Sequence, residues 1–222
     1  AAIGLRVLSA EPDLSSFAKT FDILVSDSAV AEGTVLTDFP VLVRLSAAID
    51  GFDYGDFKQA RAGDLVFADE SGNVLDHEID TWDEKGESLV WVKIPAFSRS
   101  TRIRVHYGRA DHVSENPGTS VWKDFTAVFH LGEASGTAYD STANALNAEP
   151  TGEKTEEMVA YAAGAVGKAR VNQTGDSSVH NRLAVPDYDS FGLGGRFTFS
   201  GWFNVSSQDG WNRLVSRKAA WG

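Results

Sequence analysis

The densest grouping of side chains able to do acid–base chemistry is Asp76, His77, Glu78 and Asp80, four ionisable residues within five positions. A pair of carboxylates flanking a glycosidic bond is what sugar hydrolysis needs, one protonating the leaving group and the other acting as base or nucleophile. On a β-strand, however, Glu78 and Asp80 share one face while His77 points to the other. No second carboxylate group at a known spacing joins them, so the competing reading is solvated edge or turn chemistry.

A second grouping is Asp140, Ser141, Asn144 and Asn147. Calcium takes roughly six to eight oxygen ligands, and Asp140, Asn144 and Asn147 with neighbouring carbonyls supply part of such a shell. The spacing is not that of an EF-hand. The alternative is an Asx-type loop, in which these side chains bond their own backbone.

Six tryptophans raise a third chemistry, the stacking of a flat indole on the C–H face of a sugar ring. Trp202 and Trp211 are the candidates for ligand contact, in competition with packing. Trp82, Trp91 and Trp122 lie in or beside the first module, and at least two of them are expected to be buried core. The histidines at 77, 106, 112, 130 and 180 form no HxH or HExxH pair to hold zinc. No GxxxxGK[ST] or strand-anchored GxGxxG is present, so nucleotide chemistry has no support. With no cysteine there is no disulfide, thiolate nucleophile or thiolate metal site.

The elements that must position these residues read as strands. From Thr20, short runs of β-branched and aromatic residues alternate with Gly, Pro, Asp and Asn. The predicted strands are Phe21–Val25, Phe39–Leu45, Asp64–Phe67, His77–Trp82, Ser88–Ile94 and Thr101–Tyr107. Bulky residues fill both faces of Leu89–Ile94 up to Lys93, which predicts burial on both sides; Arg102–Tyr107 alternates and predicts a half-exposed strand. Asp69–Asn73 and Asp83–Glu87 each carry a glycine where a tight hairpin needs positive φ, giving an expected meander. Tyr54–Gln59 is long enough for a helical turn or two. Glu153–Met158 reads as a solvated loop. Arg196–Val205 puts Phe197, Phe199, Gly201, Phe203 and Val205 on one face, which predicts a long sandwich strand, and Trp211–Arg217 begins another.

At 222 residues the chain is long enough for two modules. Hydrophobic residues at 42% and charged residues at 23% allow packed cores without staples. A formal net charge of -11 repels phosphate backbones and anionic lipid, which argues against a nucleic-acid partner. No apolar run approaches the roughly 18 residues of a membrane span. Absent cysteine, a single methionine and abundant Gly, Ser, Thr and Asp suit an extracytoplasmic location, secreted, periplasmic or at the cell surface. The start at Ala1-Ala2-Ile3 reads as a cleaved end or an engineered boundary. The boundaries expected are 1–19 as an N-terminal segment or linker, 20–122 as a first β-sandwich and 123–222 as a second domain that ends before it closes.

Two resemblances follow from ordered motifs. Asp38-Phe39-Pro40-Val41-Leu42-Val43-Arg44-Leu45, Gly51-Phe52-Asp53-Tyr54, Gly63-Asp64-Leu65, His77-Glu78-Ile79-Asp80-Thr81-Trp82 and Leu89-Val90-Trp91-Val92-Lys93-Ile94-Pro95 resemble a bacterial domain-of-unknown-function family of exported multidomain proteins. That resemblance covers about Thr20 to Val121 and implies a context rather than an activity. From Phe125, the residues Val128–Glu133, Tyr139–Thr142, Gly164–Ala169 and Phe197–Phe203 resemble the first part of a LamG-like, concanavalin A-type jelly roll. That fold implies carbohydrate or protein ligands and in some members a calcium ion, while some relatives are glycanases.

The sequence therefore reads as all-β, two consecutive antiparallel β-sandwiches with the second a partial jelly roll. The expected function is a non-catalytic surface or secreted module binding a glycan or a surface protein. One alternative is a structural subunit of a self-assembling surface layer, fibre or adhesin. Another is a glycan-degrading enzyme whose catalytic part lies outside this sequence.

Overall fold

The computed structural model describes residues 11–25, 30–114, 118–158, 161–171, 181–186, 191, 195–205 and 215–216. It is all-β: strands pair antiparallel, and the helical segments are 3₁₀ turns of three or four residues. Two compact units divide the chain, residues 1–123 and 124–222.

The first unit is a sandwich of two sheets. β1 (Lys19–Val25), β7 (Thr101–Tyr107), β3 (Val66–Asp69) and β4 (Val74–Leu75) lie in that order in one sheet; β2 (Leu36–Ser46), β6 (Glu87–Phe97) and β5 (His77–Thr81) form the other. Period-two alternation sends Ile103, Val105 and Tyr107 of β7 and Val90, Val92 and Ile94 of β6 into the space between the sheets. Leu45, Leu65, Phe67, Val90, Val92 and Val105 are fully shielded from solvent. Each such side chain contributes about 1.5–3 kcal/mol on leaving water. Phe21, Ile23 and Val25 pack onto this core from β1.

The expected meander is not what forms. The chain leaves one sheet after Leu75 and enters the other at His77, so that only Asp76 separates β4 from β5. The tight β6–β7 connection likewise joins strands of different sheets. Hairpin turns fix local reversal, not which sheet receives the next strand. Gly72 takes the positive φ its turn was expected to need (86°). Gly86 does not; a Cβ there would lie 2.5 Å from Asp83 Oδ2, so a side chain at this position would make that carboxylate move. Pro40 sits on the edge strand β2, where a missing N–H removes no sheet hydrogen bond.

One buried carboxylate wires the loops of this unit. Asp64 is fully inaccessible, and its two oxygens accept from the backbone N–H groups of Lys58 (3.0 Å), Gln59 (3.1 Å), Gly108 (2.8 Å) and Arg109 (2.9 Å). It precedes β3 rather than opening it, because its role is to receive these loop amides.

The second unit has shorter ladders. β8 (Glu149–Thr151) pairs with β11 (Arg182–Ala184), and β9 (Tyr161–Ala163) with β10 (Lys168–Arg170), three residues each. Polar side chains do much of the joining. Asn181 accepts from Lys154 N at 3.0 Å and donates to its carbonyl at 2.6 Å, completing a two-bond bridge by side chain. Arg170, nearly buried, donates to Gly136 O at 2.7 Å and meets Glu133 at 3.4 Å.

Two expectations for this half change, and a third falls mostly outside the described residues. The long strand over Arg196–Val205 carries no ladder among the described residues, although Phe199 and Phe203 do share a face, their rings 6.1 Å apart over Gly201. Alternation specifies a face; a strand also needs a neighbour. The segment expected as a solvated loop at Glu153–Met158 contains a 3₁₀ turn, Thr155–Met158, with Met158 buried. Most of the strand expected at Trp211–Arg217 lies outside the described residues, and Val215 and Ser216 carry no strand.

Candidate functional site

The acidic cluster of the first unit falls on β5, and strand parity divides it. His77 points inward, 5% exposed, its ring 5.3 Å from that of Phe67. Burial pushes its pKa down to about 4, with a backbone hydrogen bond at Leu75 and the charge of Asp76 opposing. Glu78 and Asp80 point outward beside Trp91, which β6 places directly opposite Glu78.

The 3₁₀ turn Thr119–Trp122 folds down over this outer face. Trp122 is buried, its ring edge-on to Trp91 at 5.3 Å, and its indole N–H donates to Glu78 Oε2. Trp91 N–H donates to Asp80 Oδ2 at 3.3 Å. Gly118 permits the close approach, since a Cβ there would sit 3.3 Å from Glu78 Cγ. Lys93, where the bulky run of this strand was read as breaking off, is 6% exposed. Its ammonium donates to Ser120 O at 2.6 Å and pairs with Asp76 at 3.0 Å.

The arrangement is a clasp between the sheet and the chain leaving the unit. Glu78 and Asp80 each accept an indole N–H, a geometry that orients rings rather than moving protons. Lys93 was the signal sequence reading missed, a lysine inside an apolar run; its cover comes from residues 27 positions further on.

In the second unit the structure does bring Asp140 and Asn147 together. Asp140 Oδ1 accepts from Val128 N (2.9 Å) and Thr142 N (2.9 Å), and Oδ2 from Thr142 Oγ (2.8 Å) and Leu146 N (2.8 Å). Asn147 Oδ1 accepts from Asp140 N at 3.0 Å, and Asn144 turns away to donate to Thr126 O at 2.9 Å. This is Asx-type loop bonding, and calcium at these oxygens would have to displace four donors. Among the described residues no three His, Asp or Glu side chains converge as a metal site. Trp202 is 83% exposed, and Phe197 and Phe199 of the same segment are also exposed. Trp211 lies outside the described residues.

One apolar cleft of about 740 Å³ opens in the first unit between β1 and β2, walled by Phe21, Ile23, Val25, Phe39, Val41 and Phe97. Both strands are sheet edges among the described residues.

The matched span contains both carboxylate hubs and the clasp. Residues 61–146 match the family model of a domain of unknown function, DUF2341. The DUF2341 match begins later than the motif resemblance and runs beyond Lys123 into the second unit, as far as the Asp140 loop. No curated protein matches the chain, and no solved structure matches it. No helix among the described residues is long and apolar enough to cross a membrane.

Proposed function

We propose that this chain is a non-catalytic, extracytoplasmic surface module that binds a glycan or protein partner through a LamG-like second unit, with the first sandwich as spacer. The observation that carries the non-catalytic part is the engagement of the acids. Asp64 and Asp140 accept four donors each, Glu78 and Asp80 hold indoles, and Asp76 pairs with Lys93. A general acid or base needs a free oxygen facing substrate. The binding part is supported by Trp202, whose exposed indole offers a flat apolar face. The test is affinity electrophoresis through gels containing bacterial and plant polysaccharides. Retardation of the wild type and its loss in Trp202→Ala supports glycan binding at this residue; equal mobility in every gel sinks it.

A second reading, a structural subunit, is favoured by β1 and β2, each with one sheet neighbour among the described residues, and by the cleft between them. Unpaired strand edges recruit further strands. Under this reading the purified chain elutes as a large species whose size falls when lysine replaces Leu24 on β1.

A further inference from the structure

Strand parity puts His106 on the outer face of the β1-β7-β3 sheet, between Thr20 and Val66, where Arg102 and Arg104 of the same strand are exposed. Yet His106 is only 6% exposed. Its cover is the short stretch before β1. Phe17, itself buried, sets its ring 5.8 Å from that of His106 and edge-on to that of His112 at 5.2 Å.

This stretch is fastened from one side by Arg109. The guanidinium lies 5.6 Å over the Phe17 ring and donates to Asp13 O at 3.3 Å, while Asp111 holds it at 2.7 Å. Asp13 in turn caps the 3₁₀ turn Leu14–Ser16 by accepting from Ser15 N and Ser15 Oγ.

Among the described residues neither ring nitrogen of His106 has a hydrogen-bond partner, and both are sealed from solvent. A neutral imidazole tolerates this at modest cost; an imidazolium would bring a charge and two N–H donors into a site closed by a phenyl ring. The charged and titratable groups facing it do not relieve that. Arg104 lies on its own strand and Arg109 and His112 in the following loop. The acids Asp22 on β1 and Asp111 are already paired with Arg104 (2.6 Å) and Arg109. Burial first, and Arg104 second, hold the imidazole below its ordinary range, with Asp22 opposing in part. The sign follows: the closed arrangement is fully favoured above the ordinary histidine pKa and weakens as pH falls below it.

We propose that residues 13–17 are an acid-released strap: when His106 takes up a proton it turns out to water, Phe17 lifts from the sheet, and the chain preceding β1 is uncoupled from the sandwich. The proton comes from solvent and no bond is made or broken. Release would bare a patch around His106 and Val66 under mild acid while the two-sheet core stays intact.

Amide hydrogen exchange, corrected for the intrinsic pH dependence, tests this on the whole chain at about pH 7.5 and about pH 5. Protection of residues 14–18 is expected to fall about tenfold or more at the lower pH, while β6 and β7 keep theirs. His106→Phe, which cannot titrate, should hold the strap closed at both values. Arg109→Ala should loosen it at both, and His112→Phe should leave the pH dependence in place. Should His106→Phe not fold, Phe17→Ala serves instead, since it should return the His106 titration, followed by NMR, toward the ordinary range. Equal strap protection at the two pH values in the wild type overturns the proposal. So does an unchanged pH response in a folded His106→Phe, or a His106 titration that Phe17→Ala does not move.

Discussion

Two aspartates, one in each unit, are built to the same local plan and do unequal work. Asp64 gathers four backbone amides from two loops at the end of a sandwich whose core is already closed by long ladders, β2 with β6 and β1 with β7. Asp140 gathers three amides and a hydroxyl within one loop, in a unit whose ladders among the described residues are three residues long. In the first unit the hub refines a structure that apolar burial makes; in the second, the hub lies among short ladders in the described residues. The lesson is that identical hydrogen-bond counts carry different weight according to the ladders around them.

The sharpest way to break that comparison is to remove each hub. Asp64→Ala strips a shielded site of the acceptor for four N–H groups, and a loss of roughly 4 kcal/mol is expected in denaturant unfolding. The first unit should still unfold as one cooperative transition. Asp140→Ala, in a half-exposed loop that water can reach, should cost less overall, about 2 kcal/mol, but should open the protease sites of residues 126–147 without shifting the first unit's transition. If both variants lower one shared transition equally, the two hubs are not in separate units energetically.

Acid should separate the units in a third way. His77 has its pKa lowered from 6.5 to about 4 in the folded state, so its stabilising contribution is complete above about pH 6.5 and is lost as pH falls toward 4. The full loss is roughly 3 kcal/mol, read as the fall in first-unit stability between about pH 7 and pH 4 and removed in His77→Phe. A fall that survives His77→Phe places the acid sensitivity elsewhere. The smallest effect concerns the clasp. Lys93→Met exchanges a buried ion pair for apolar packing and should change stability by about 1 kcal/mol in either direction, while Glu78→Gln keeps an acceptor for Trp122 and should change it by less. Tryptophan fluorescence should report both, because Trp91 and Trp122 sit within the clasp.

The strands of the first unit were legible from their β-branched and aromatic runs between turn residues; that His77 faces away from Glu78 and Asp80 followed from parity, and which of the two faces is buried did not. What parity could not reach was cover supplied from a distance. Lys93 and His106 both lie on the outer faces of their sheets, and both are buried because a 3₁₀ segment far along the chain, Thr119–Trp122 or Leu14–Ser16, folds over them. The sheet change at Asp76 was likewise invisible, since no residue type marks which sheet a strand joins. In the second unit, Asp140, Asn144 and Asn147 were recognisable as polar loop chemistry, but oxygen-rich side chains look alike whether they hold an ion or a loop, and the donors around Asp140 cannot be read from residue types. For Phe197–Val205 the face was readable and the pairing was not, because pairing is a property of two segments.

The clasp has a mechanical consequence. A chain pulled from Lys123 does not pull first on a terminal strand, because Trp122 and Ser120 are tied to Glu78 and Lys93, and Lys123 itself approaches Asp38 of β2 at 3.6 Å. Tension entering there meets β2, β6 and β5 through these side chains before it reaches the strand that ends the unit, so the load is shared across one sheet.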